Sequence, residues 1–260
     1  MRKRAGVSAK NNKFAPGEYI RVVPLHYPKP DVERPVAGAK LTYRNGPLIT
    51  NAEVFTIFWG KLWGSTPQST DLMGRLNKFF SDILVSPVID QLAEYNIAGQ
   101  AIGHGTLIGN EVISACAPVR SVTDSAVRAR LKQWITARTV PKNNKNTLYF
   151  IYLDPGVVSI MGGSRSCQSY CGYHNNVGKI YYAVMPYPIC SGCLGGLQTF
   201  DAMTGSSSHE LCEAITDAVP GSGWYDDTDG EIGDICTWNF KTVAGYTVQL
   251  EWSNQQDKCV

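Results

Sequence analysis

His209, Glu210 and Glu213 stand in the order H-E-x-x-E within residues 206–217, SSSHELCEAITD. On a helix, His209 and Glu213 fall four apart on one face, where they can converge on a single ion, and Asp217 continues the row. Set against the zinc-protease signature H-E-x-x-H, His209 and Glu213 hold the ligand positions and Glu210 the general-base position, with a carboxylate replacing the second histidine. A carboxylate ligates zinc at about 2.0–2.2 Å. It is a harder donor than imidazole, so calcium and manganese also enter as candidates.

Further donors follow a Gly/Pro break, in the acidic loop GWYDDTDGEIGD over 223–234. Asp226, Asp227, Asp229, Glu231 and Asp234 can close on the helix or build a separate calcium site, although the spacing is not that of an EF-hand. Glu231 or Asp234 is the expected third ligand. His174 lies in the cysteine-tethered stretch CGYHN and is a candidate ligand, or a hydrogen-bond donor to a reaction oxyanion. His26 and His104 read as ordinary structural or surface residues. A competing reading makes Ser207 and Glu210 an S-x-x-E capping box at a helix start, with a solvated polar face.

The elements that must position these groups are legible from periodicity. Leu211, Ala214, Ile215, Ala218 and Val219 follow the i, i+3, i+4, i+7, i+8 pattern of a core-facing stripe, opposite His209, Glu213 and Asp217. EVFTIFW over 53–59, NTLYFIYL over 146–153 and KIYYAVM over 179–185 read as buried strands, and GYTVQLEWS as a last strand. Residues 104–114 read as a strand or hairpin. A long helix is predicted from Thr66, with Pro67 at its first position and a break near Pro87. Another is predicted over 124–139, capped by Asp124. Strands alternating with helices imply a two- or three-layer α/β domain. The order, ending in a strand pair that leads into the H-E helix, looks like the arrangement of a zincin or metzincin-like mixed sheet with packed helices, a likeness of pattern.

With 260 residues, 43% of them hydrophobic and 18% charged, the chain can bury a large core. We expect a proline-rich, extended arm over residues 1–40 and a single domain over 41–260. A formal charge of +2, concentrated in MRKRAGVSAKNNK, gives no electrostatic case for nucleic acid, and that run reads as a solvated tail. No apolar run approaches the roughly 20 residues of a membrane span. The start of the chain also lacks the apolar core of a secretory signal, so export implies a removed leader or another route.

Cysteines at 116, 167, 171, 190, 193, 212, 236 and 259 make an even set with two close pairs. This favours disulfides in an oxidising compartment over a structural zinc site, with the connectivity open. Cys212 and Cys236 flank the helix and the acidic loop and are expected to bridge. An even count leaves no obvious free thiol for a cysteine nucleophile.

GPLITNAEVFTIFWGKL, LYFIYLDPGV, SCQSYCGYHN, KIYYAVMPYP, the C-x-x-C pair and the HELCEAITD to GEIGDIC block together resemble the secreted phosphate-induced/EXORDIUM family and its bacterial and fungal relatives. The similarity runs from about residue 41 to 238. The resemblance carries the C-G-x-H element onto Cys171, Gly172 and His174, the helix element onto His209, Glu210 and Glu213 with Thr216 and Asp217, and the E-I-G-D-x-C element onto Glu231, Gly233, Asp234 and Cys236. Plant members are associated with the extracellular matrix. Relatives read through the H-E-x-x-E helix look like metallopeptidases.

Two functions follow. The first is a secreted zinc-dependent metallopeptidase-like hydrolase acting on a peptide or protein, in which Glu210 takes a proton from an activated water. The second is a non-catalytic extracellular protein stiffened by calcium or zinc that recognises wall glycan or a protein, using exposed tyrosines among Tyr170, Tyr173, Tyr181, Tyr182, Tyr187 and Tyr225.

Overall fold

The computed structural model describes residues 22–26 and 38–260. Its main sheet is built from β1 (Val22–Pro24), β2 (Asn51–Trp59), β3 (Gly103–Ile113), β4 (Thr147–Leu153), β5 (Tyr170–Val177) and β6 (Ile180–Met185). They lie side by side in the order β1–β5–β6–β4–β2–β3. The pairs from β6 through β4 and β2 to β3 are parallel, while β5 and then β1 add on antiparallel. The helices are α1 (Pro67–Ile83), α2 (Asp124–Ala137) and α3 (Thr199–Thr216).

All seven residues of β4 are buried, because the strand is central and covered on both faces. Leu148, Phe150 and Tyr152 point into one core, with Leu76, Phe79 and Phe80 of α1 and Leu211 and Ile215 of α3. Tyr149, Ile151 and Leu153 point into the other, with Val127, Leu131 and Trp134 of α2. The architecture is therefore a three-layer mixed α/β fold with packed helices, as the alternation predicts.

α1 starts where Pro67 places it. Thr66 Oγ1 accepts from the Ser69 amide and Ser69 Oγ accepts from the Thr66 amide, both at 3.2 Å. At α2 the cap is Thr123, whose Oγ1 accepts from the Ala126 amide, and Asp124 is the first helical residue instead of the cap. Segment 104–114 is a single parallel strand. The expected last strand divides into β8 of a hairpin, β7 (Phe240–Val243) and β8 (Tyr246–Gln249), and a short piece at Trp252–Ser253.

Several expectations are corrected. The arm over 1–40 falls largely outside the described residues, but Val22–Pro24 within it is an edge strand of the sheet. α3 begins at Thr199, seven residues before Ser206, so Ser207 is mid-helix and caps nothing; its hydroxyl bonds to Tyr152 Oη at 2.8 Å. Nor is one face of α3 solvated, since residues 202–216 are all buried between the sheet and the β7–β8 hairpin. Tyr170, Tyr173, Tyr181, Tyr182 and Tyr225 are buried and offer no platform to a partner.

Disulfides join Cys167 to Cys190, Cys171 to Cys193 and Cys236 to Cys259. The first two tie the start of β5 to the loop after β6, and the third fastens the chain end. The expected Cys212–Cys236 bridge is therefore absent: Cys212 is a buried thiol on α3 beside Glu251, and Cys116 is an exposed one.

Candidate metal centre

The site is assembled from α3, β5 and the loop over 230–234. Along β5, Tyr173 and Asn175 face the α2 side, where both reach Asp124, so His174 projects to the opposite face, toward α3. Three glycines let the backbones meet. A β-carbon at Gly172 would stand 3.1 Å from Met185 and 3.5 Å from Glu210 Oε1, and one at Gly233 would stand 2.7 Å from His209 Nδ1. Gly230, at φ 92°, adopts the left-handed conformation that turns the loop inward.

That turn divides the acidic loop. Asp226 accepts backbone amides of Lys40, Thr228 and Asp229, and Asp227 pairs with Arg44 at 2.7 Å at the surface. Neither they nor Asp229 approach the helix cluster. Glu231 and Asp234 turn in. Asp234 Oδ2 accepts the Glu231 amide at 3.0 Å, leaving Oδ1 directed elsewhere.

Two groups of potential ligands result, His209 with Glu213 and Asp234, and His174 with Glu213 and Glu231. Within each, the donor atoms lie within 4.8 Å of one another. His209 Nε2 is 2.9 Å from Glu213 Oε1 and 3.9 Å from Asp234 Oδ1; His174 Nδ1 is 3.4 Å from Glu213 Oε2, and its Nε2 is 3.4 Å from Glu231 Oε1. Yet His209 Nε2, both oxygens of Glu213, both of Glu231 and Asp234 Oδ1 are buried without a hydrogen-bond partner. Neighbouring ligands of tetrahedral zinc, with bonds of about 2.0–2.1 Å, stand about 3.3 Å apart. Close approach without hydrogen bonding, at that spacing, fits a divalent cation.

Glu210 sits beside both groups. Its Oε2 is 3.1 Å from His174 Nδ1 and its Oε1 has no hydrogen-bond partner. Asp217 sits beside the second group, its carbonyl oxygen 3.2 Å from His174 Nε2 and its side chain next to Glu231. It is the C-cap of α3, at φ −147°, so the i+4 row ends before it, and its carboxylate accepts the amides of Gly221, Ser222 and Gly223. It anchors the turn after the helix. His26 packs on Trp238, and His104 pairs with Asp90 at the surface.

Gln249 at the end of β8 gave no signal in the sequence. Its Nε2 lies 2.7 Å from His209 Nδ1 and 2.8 Å from Gly233 O. It therefore fixes the ring. The amide's orientation is set by its other partners, since Nε2 donates to Gly233 O and Oε1 accepts the Trp238 amide at 3.3 Å.

The sequence matches no family model and no curated protein. What the centre does is argued from its own residues.

The electrostatics are those of carboxylates packed in the protein interior. Burial pushes Glu210 up, and pushes Glu231 and Asp234 well up, with Glu213 adding to each push. Burial would also lift Glu213, but the two imidazoles hold it at about 2. Burial alone would lower His209; Glu213 and its neighbours outweigh it and raise the ring to about 10. In the same way Glu231, Glu210 and Glu213 raise His174 well above its usual value. The Cys212 thiol is pushed well up by burial and by Glu251, which keeps it protonated and unreactive.

Open grooves lie elsewhere. A groove of about 710 Å³ runs between the starts of α1 and α3, lined by Gln68, Leu72, Arg75, Tyr187 and Phe200. It adjoins the loops after β2, β4 and β6, at the carboxyl ends of the parallel strands. Its nearest α3 residue, Asp201, is about 12 Å along the helix from His209.

Proposed function

We propose that the chain is a divalent-metal hydrolase of the metallopeptidase type, with zinc the ion its donors suit. The observation that carries this reading is the set of buried, unpartnered donors on His209, Glu213 and Asp234. Ionised groups are tolerated in a protein interior only when they are paired, and a cation would pair the donors that no hydrogen bond reaches. A bound divalent ion supplies Lewis acidity, polarising a carbonyl and lowering the pKa of a water. Glu210, adjacent in sequence to a ligand, receives the water's proton at Oε1. Burial raises its carboxyl above the usual range. His174 Nδ1 holds Glu210 Oε2 and so aims the other oxygen.

The substrate class that goes with this reading is a peptide or protein, supported by the likeness of the helix to H-E-x-x-H. Three disulfides support an extracellular location. No described helix is long and apolar enough to cross a membrane.

One observation favours a second reading. His174, His209, Glu210, Glu213 and Glu231 are each at most 1% exposed. Structural metal sites are closed in this way, whereas catalytic ones keep an open position. On that reading the ion, zinc or calcium, clamps the 230–234 loop and the β7–β8 hairpin onto α3. The protein would then meet a wall glycan or protein partner through its outer surface.

Glu210→Gln separates the two. Hydrolysis needs the base, so the metal-loaded variant is expected to keep its ion and lose at least 100-fold in peptide cleavage, as loss of general base catalysis does at roughly 10²–10⁴-fold. Undiminished cleavage by that variant sinks the mechanism. A metal-loaded wild type that cleaves no peptide establishes the second reading.

A further inference from the structure

We propose that the centre is built for two divalent ions, with Glu213 as the carboxylate between them. This rests on the reading of the cluster as a metal centre. The two donor groups share only Glu213. Its Oε1 faces His209 and its Oε2 faces His174, and neither oxygen has a hydrogen-bond partner. A carboxylate presented so, one oxygen to each side, holds two ions about 3.5–4 Å apart, the separation of two-metal hydrolytic sites.

The second position has its own evidence. Glu231 is fully buried, both its oxygens lack hydrogen-bond partners, and it approaches the His174 ring at 3.4 Å. An ion held by His209, Glu213 and Asp234 alone leaves that carboxylate without a metal. Each position offers one imidazole and two carboxylates. That donor set belongs to zinc or manganese, whereas calcium takes oxygen ligands alone.

Elemental analysis after dialysis against zinc tests the stoichiometry, and electron paramagnetic resonance of the manganese-loaded protein tests the bridge. Two ions per chain are expected for wild type, and one for Glu231→Gln or Asp234→Asn, each near-isosteric and checked for native circular dichroism. Wild type with manganese is expected to show an exchange-coupled spectrum that becomes the sextet of an isolated ion in either variant. One ion in wild type, unchanged in Glu231→Gln, overturns the second position and leaves the single-metal reading standing. No zinc or manganese in folded wild type, or uptake of calcium alone, overturns both.

Discussion

Gly233 lies against His209 so closely that a β-carbon at 233 would stand 2.7 Å from Nδ1 and 3.0 Å from Glu213 Oε1. The backbone of Gly233 is at φ −82°, open to any residue, so the demand for glycine is steric. Gly233→Ala is expected to destabilise the fold by about 1–3 kcal/mol, as overpacking of a filled interior does. Thermal unfolding would show it, and metal affinity should fall in parallel because the His209–Glu213 pair is what the methyl displaces. An alanine variant with wild-type stability and metal binding would mean that the loop does not seat there.

Gln249 is a positioning residue for His209. Gln249→Leu removes the hydrogen-bonding partner of Nδ1 and is expected to weaken metal binding about 10–100-fold, the usual effect of losing a group that orients a histidine ligand. Competition with a chromophoric chelator reads it. Unchanged affinity in a folded Gln249→Leu protein would mean that the amide does not orient the ring.

The metal-free protein should lose stability as pH rises. Burial raises Glu210, Asp217, Glu231, Asp234 and Glu251, and the surrounding carboxylates raise His174 and His209, the latter to about 10. Each group binds its proton more tightly folded than unfolded, so the folded state carries more protons and stability falls from about pH 4 toward about pH 10. Glu213, held at about 2, has the opposite sign, and its contribution is lost only as pH falls below the usual 4.5. Melting temperatures of chelated protein should decline across that range. Added zinc, which replaces those protons, should reduce the decline; a flat profile without metal would contradict the burial of these groups.

Cys116 and Cys212 are both reduced, but only Cys116 is exposed. A thiol reagent is expected to label about one site on the native protein and a second only after unfolding, since a buried protonated thiol does not react. Labelling of Cys212 at the rate of Cys116 would place α3 outside the core.

Much of this was legible because local rules and tertiary contacts agree. The strand at 147–153 is apolar because it is central, and Pro67 starts α1 because its missing amide costs nothing there. His209, Glu213 and Asp234 could be proposed together from helical spacing and one short loop. The start of α3 could not, because TFDAMTGSSS contains glycine and a serine run that local propensity resists. Burial against the sheet and the β7–β8 hairpin overrides it. Asp217 obeyed the i+4 arithmetic in sequence but sits where the helix has already ended. Gln249 is an ordinary residue type 40 positions from His209, brought there by a hairpin return. The cysteine pairings depend on loop placement, which spacing does not encode.

The central claim is that buried donors on α3, β5 and the 230–234 loop hold a metal. Metal analysis of wild type and Glu213→Gln, both purified without chelator and checked for folding, tests it most directly. Glu213 belongs to both donor groups, so wild type should carry at least one zinc or manganese per chain and the variant close to none. A folded wild type that remains metal-free in excess zinc, or a Glu213→Gln protein that retains its ions, would contradict the account.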